Sequence, residues 1–90
     1  MKRKQDYQSH MEKVLNLTRR EKEILLHIAQ GYSSLDIANK LFVSKGTIET
    51  HRRNIIQKLD SNKMARVIIL ALHHGIIEID ENSKVRLCLP

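Results

Sequence analysis

The stretch Ser33–Leu59, SSLDIANKLFVSKGTIETHRRNIIQKL, decides the fold. It contains two runs with helical spacing joined by a link too short for a strand. In the first run Ile37, Ala38 and Leu41 share one side, and Ser33 or Ser34 stands where an N-cap is needed. Leu41-Phe42-Val43 then leads to Ser44, a second N-cap, and a helix over 45–59. On a wheel of 100° per residue, Ile48, Ile55, Ile56 and Leu59 of this helix fall within about one third of the circumference. Gly46, Thr50, Arg53 and Gln57 point nearly the opposite way, with Glu49 and Asn54 on the flanks. Two helices with a tight turn, the second apolar inside and polar outside, form a helix-turn-helix. Such a helix fits the major groove of duplex DNA, about 12 Å wide, and its free N-terminal N–H groups favour phosphate. Gly46 costs up to about 1 kcal/mol in a helix, which suits a place where the backbone approaches something closely.

Upstream, Thr18-Arg19-Arg20-Glu21 reads as a capping box opening a helix over 19–30. Ile24, Leu25 and Ile28 form its inner face, and Gly31 is its left-handed stop. Downstream, Asp60-Ser61-Asn62 supplies a break and a fresh cap for a helix over 63–74. Val67 to Leu72 are all apolar, more than one small domain buries on a single helix, so a partner surface is expected there. Gly75 ends it. From Ile76 the period changes to two: Ile77 and Ile79 alternate with charges, Asp80-Glu81-Asn82-Ser83 signals a turn, and Val85, Leu87 and Leu89 alternate again. This predicts a small β-hairpin, which is marginal alone and must lean on the fourth helix or on a second chain. Over 1–16, Tyr7, Met11, Val14 and Leu15 form one narrow stripe. It fits an extra N-terminal helix or the tail of a linker from an upstream domain. The fold class is therefore all-α: a four-helix helix-turn-helix domain, with the N-terminal extension over 1–16, the domain over 17–77 and a C-terminal tail over 78–90 that pairs with 76–79.

Composition narrows the function. The 90 residues are 41% hydrophobic and 29% charged, the balance of one globular domain, with a core built from aliphatic side chains because aromatics are only 3%. No apolar run approaches the roughly 20 residues of a membrane span, and no apolar segment follows the basic N-terminus, so neither an anchor nor a secretory signal is read. The lone Cys88 gives no disulfide and no zinc framework and suits a reducing cytoplasm. The net charge of +6 points to an anionic partner. The charge is also placed: Lys40, Lys45, Arg52, Arg53 and Lys58 stand against Glu49 alone, whereas Gly75 to Pro90 carries a slight acidic excess. His73 and His74 are neighbours, diverge by about 100° on a helix and do not chelate one ion together, so no metal is expected. Asp36 and Glu49 do not form a catalytic pair, and there is no phosphate loop and no Ser/His/Asp arrangement. The chain is read as a non-enzyme without a cofactor.

The run LTRREKEILLHIAQGYSSLDIANKLFVSKGTIETHRRNIIQKL, with the ALHHGII ending, resembles the LuxR-type helix-turn-helix domain of bacterial transcription regulators. Leu17-Thr18, Arg20-Glu21, Gly31, Ile37-Ala38, Leu41, Ser44, Thr47-Ile48, His51, Asn54-Ile55, Lys58-Leu59 and Gly75 fall in register with it. The resemblance implies a DNA-reading third helix, in which Glu49, Thr50 and Arg53 face bases. Thr47 and His51 match positions that touch the DNA backbone. Ser44, Lys45, Arg52, Lys40 and Lys58 add a cap and cations for phosphate. It also implies a homodimer through the fourth helix, with Val67, Leu70, Ala71 and His74 as the interface. Glu49 and Leu35 stand where Lys is common, which reverses charge at a base-facing position and removes a phosphate contact; a carboxylate there either accepts from cytosine N4 or is held off the DNA. His27 stands where a core Leu is usual, and Ser61 where Val is. The expected function is sequence-specific duplex-DNA binding for transcription regulation, as a regulator or the output domain of a response regulator, in the cytoplasm, with RNA polymerase as a candidate further partner. Its rival is a protein-interaction module that pairs with or sequesters another regulator. The promoter-reading end of a sigma factor is disfavoured by Thr47-Ile48-Glu49-Thr50-His51.

Overall fold

The computed structural model describes residues 16–59, 61 and 63–88. Among these, four helices and one hairpin follow in order: α1 Arg19–Ala29, α2 Ser34–Leu41, α3 Lys45–Lys58, α4 Met64–His73, β1 Ile77–Ile79 and β2 Val85–Leu87. The expected helix over 1–16 lies, apart from Asn16, outside the described residues.

Local chemistry sets most of the boundaries. The Thr18 hydroxyl accepts from the Glu21 N–H at 3.0 Å, and the Thr18 N–H donates to Glu21 Oε1 at 2.8 Å. This is the capping box read from the sequence. At the other end of α1, Gly31 sits at φ +95°. Its N–H reaches Ile28 O at 2.9 Å and the Tyr32 N–H reaches His27 O at 3.1 Å, the bond pair of a Schellman stop. Gly75, at φ +73°, ends α4 the same way, with Gly75 N to Leu72 O at 3.2 Å and Ile76 N to Ala71 O at 2.9 Å. A second capping box, Ser33 with Asp36, opens α2. Ser44 Oγ accepts from the Thr47 N–H at 3.1 Å and opens α3.

Two details differ from expectation. Helix α4 has no side-chain cap: its N-cap residue is Lys63, whose N–H donates to Ser61 Oγ at 3.2 Å one step outside the helix. Helix α2 ends on Phe42, which takes the left-handed conformation at φ 58°, a region that glycine and asparagine enter more cheaply.

The core is aliphatic, as the composition requires. Ile24 and Leu25 of α1, Ile37 and Ala38 of α2, Ile48 and Ile55 of α3, and Val67 and Ala71 of α4 are all buried together, and Ile76 and Ile77 close it at the hairpin. The hairpin is antiparallel, with Ile77 opposite Leu87, Glu78 opposite Arg86 and Ile79 opposite Val85. Asp80 holds its turn: Oδ1 accepts from the N–H groups of Asn82 at 2.8 Å and Lys84 at 2.9 Å. The sequence left two supports open for it, the fourth helix or a second chain. Strand β1 does meet α4, but β2 runs along α1, where Gln30 Nε2 donates to Val85 O at 3.0 Å.

Candidate nucleic-acid interface

Helices α2 and α3 pack closely, and the turn Phe42-Val43-Ser44 sets their angle. The orientation of α3 follows from its aliphatic side chains. Ile48 and Ile55 are fully enclosed, and Leu59 is buried just past the helix end. Burying each is worth about 1.5–3 kcal/mol, so the opposite side is forced outward. Glu49, Thr50, Arg53, Asn54 and Gln57 are all exposed there. The three side chains expected to face bases thus share one open surface.

The N-terminal turn of α3 is also open. Ser44, Lys45, Gly46 and Thr47 are exposed. Ser44 Oγ occupies the Thr47 N–H and lies 2.9 Å from Thr47 Oγ1. The N–H groups of Lys45 and Gly46 have no partner among the described residues, so the positive end of the helix dipole meets solvent. A Cβ at Gly46 would meet only Ser44 Oγ, at 3.8 Å. Nothing inside the protein therefore requires glycine there.

The expected phosphate-binding cations divide. Lys45 is exposed on the first turn of α3. Lys40 on α2 is exposed too, and its ammonium rests 4.3 Å from the centroid of the Tyr32 ring, a cation–π contact the sequence did not reveal. His51 and Arg52 are half-buried; Arg52, four residues after Ile48, falls on the inward sector of the helix. Lys58 departs furthest. Its Nζ donates to Glu21 Oε1 at 2.6 Å, joining the end of α3 to the start of α1. The Glu21 side chain is only 4% exposed. Burial alone would raise its carboxyl; the Lys58 ammonium, then the Thr18 amide and hydroxyl, outweigh burial and hold it below the ordinary 4.5. Glu21 was legible as a capping residue, but its partner lies 37 positions away and left no local signal.

Two of the four residues expected at a dimer interface point the other way. Val67 and Ala71 are fully buried in this chain's own core and are unavailable to a second copy. They lie one turn apart on the stripe that packs against the other helices, and an almost wholly apolar helix gives no sequence signal for which side that is. Leu70 and His74 are half-buried, and Ile69, on the far side, is 63% exposed.

Among the described residues no group of three or more His, Cys, Asp or Glu side chains is placed to hold a metal ion, and no helix is long and apolar enough to cross a membrane.

A tight turn between two packed helices, the second turned outward along its polar side, defines a helix-turn-helix domain. Residues 15–71 match the model of the family described as "Bacterial regulatory proteins, luxR family", and the chain belongs to that family of DNA-binding regulators. It is 38% identical over 72 residues to the uncharacterized transcriptional regulatory protein YxjL of Bacillus subtilis (strain 168), covering 79% of this chain and 33% of that one. It is 48% identical over 63 residues to the uncharacterized response regulatory protein YgeK of Escherichia coli (strain K12), covering 70% and 43%. To the response regulator protein VraR of Staphylococcus aureus (strain Mu3 / ATCC 700698) it is 42% identical over 62 residues, covering 69% and 30%. The matched part of the chain thus spans 30–43% of the length of these relatives.

Proposed function

We propose that this domain binds duplex DNA sequence-specifically to regulate transcription, with α3 in the major groove. The carrying observation is the exposed row of Glu49, Thr50 and Arg53 on a helix whose other side is locked by Ile48 and Ile55. Arg53 reads a guanine edge. Lys45, the first-turn amides of α3, Thr47 and Lys40 hold phosphates, with Ser44 as the cap that fixes them and His51 and Arg52 at the margin. Gly46 lets a phosphate approach the backbone closely. Lys58 is left out of this set because Glu21 engages it.

The domain acts as a homodimer through the rest of α4, with Leu70 and His74 joined by exposed Ile69. A two-fold pair reads a roughly palindromic site whose halves lie about one DNA turn apart. It works in the cytoplasm, where it meets the chromosome and RNA polymerase. The test is fluorescence anisotropy of labelled duplex over a range of salt. With about three to four phosphates neutralised per monomer, the log–log slope is near −3 per monomer. Arg53→Ala relaxes base preference, whereas Lys45→Ala weakens all sequences alike. Binding that ignores salt, or two variants that behave as the parent on every duplex, would refute the reading.

A second reading is a module that pairs with or sequesters another regulator. It draws on Leu35 of α2 and Phe42 of the turn that follows it, 55% and 95% exposed, which place apolar surface beside α3. Duplex binding that is absent at low salt, with a stable complex between this chain and another regulator, favours it.

A further inference from the structure

We infer that Glu49 and Thr50 set the half-site this domain prefers, Glu49 selecting a cytosine and Thr50 selecting a T·A pair. The inference rests on the DNA-binding reading above and adds the base chemistry to it.

Thr50 is not a free hydroxyl. Its Oγ1 donates back to Gly46 O at 3.0 Å, one turn earlier in α3. A hydroxyl has one proton, and here the backbone holds it. What Thr50 presents outward is a methyl group and oxygen lone pairs, with no donor. Guanine offers only acceptors in the major groove, so it gains nothing from such a side chain. Cytosine offers a donor but no methyl. A T·A pair offers both complements: the thymine C5 methyl for apolar contact and the adenine N6–H for the lone pair.

Glu49 is exposed, and among the described residues its carboxylate joins no ion pair or hydrogen bond. Arg53 lies four residues on, the spacing at which a Glu–Arg pair forms readily on a helix, yet the two stay apart. The carboxylate therefore enters the groove as an acceptor only. Guanine O6 and N7 and thymine O4 repel it. Adenine couples its N6–H donor to the N7 acceptor beside it. Cytosine alone presents N4–H with no acceptor on its own edge. Charge repulsion from the duplex sharpens this choice, because a carboxylate that finds no donor is worse than no side chain.

The test is selection of binding sites from randomised duplex with the full 90-residue chain, followed by competition binding on the selected site. Replacing the Thr50-read thymine by uracil removes only the methyl and weakens binding about three- to fourfold. Thr50→Val keeps the methyl and retains the thymine preference; Thr50→Ser keeps the hydroxyl and loses it. Glu49→Gln, which pairs with adenine N6 and N7, shifts one selected position from cytosine to adenine, with at least about fivefold discrimination. Circular dichroism on each variant confirms that the helices are intact. Retained duplex affinity with no cytosine or thymine preference, or with Thr50→Ser selecting as the parent does, overturns this inference and leaves DNA binding standing. Failure of the parent to bind any duplex overturns both.

Discussion

Replacing Lys58 by Met separates structure from DNA contact at one side chain. The substitution keeps an unbranched stem of similar reach and removes only the ammonium. In the parent that ammonium sits 2.6 Å from a carboxylate whose side chain is 4% exposed. A hydrogen bond to a charged group is worth about 1.5–3 kcal/mol, and stripping one partner from a fully buried pair costs about 3–5 kcal/mol. Lys58 itself is 37% exposed, so water screens part of the loss, and the Thr18 amide still bonds Glu21 Oε1. The expected cost is about 2 kcal/mol, or about 10 °C in melting temperature for a domain this small. The pH dependence carries a sign. Folding lowers the proton affinity of Glu21, so in acid the unfolded chain takes up more protons at this group than the folded one. The contribution of the pair is complete above the ordinary 4.5, declines as pH falls and is lost below the depressed folded value. Calorimetric melts at neutral pH and through the carboxylate range show a lower midpoint and a flatter acid limb for Lys58→Met. Duplex titrations show a salt slope equal to the parent's. A variant that melts with the parent while its salt slope drops by about one would place the ammonium on phosphate and refute the reasoning.

Gly46→Ala fills open space in the first turn of α3; it should raise stability by up to about 1 kcal/mol while weakening every duplex, as melts and anisotropy together report, and unchanged affinity would deny close backbone approach. Phe42→Gly relieves a left-handed residue that is 95% exposed; a gain of about 1 kcal/mol in chemical denaturation is expected, and a loss would mean the ring supports the turn. Ile69→Asp puts a charge on the open side of α4, away from Val67 and Ala71; sedimentation should show a weakened dimer with an unchanged melt of the monomer, and an unaltered dimer would put the contact elsewhere.

The fold was legible wherever a local rule decides it. Thr18, Ser33 and Ser44 announce helix starts because their hydroxyls satisfy N–H groups three residues on. Gly31 and Gly75 announce stops because only they take the left-handed turn without strain. The outward face of α3 was legible for the same reason: four aliphatic positions leave one orientation. What escaped was non-local or symmetric. The partner of Glu21 lies at Lys58, beyond any helical period, and a lysine in a basic run looks like every other cation. Helix α4 is apolar nearly all round, so which stripe faces inward is a matter of packing, and Val67 and Ala71, expected on its open side, lie in the core. The back-bond of Thr50 to Gly46 follows an i−4 pattern that threonines in helices adopt, and the sequence did carry that signal.

The division of labour along α3 explains how such a surface is held. Turning the helix by one residue's rotation would carry Ile48 and Ile55 toward water, at about 1.5–3 kcal/mol each. That sum is a large part of the 5–15 kcal/mol that holds a typical domain together. The outward direction of residues 49, 50 and 53 is therefore fixed by side chains that touch no ligand. The converse also holds. Because Glu49 and Arg53 make no bond within the described residues and Thr50 bonds only its own helix, their exchange is nearly neutral for folding. Base preference can then change one residue at a time on an unchanged frame, whereas any change at Ile48 or Ile55 alters stability and aim together.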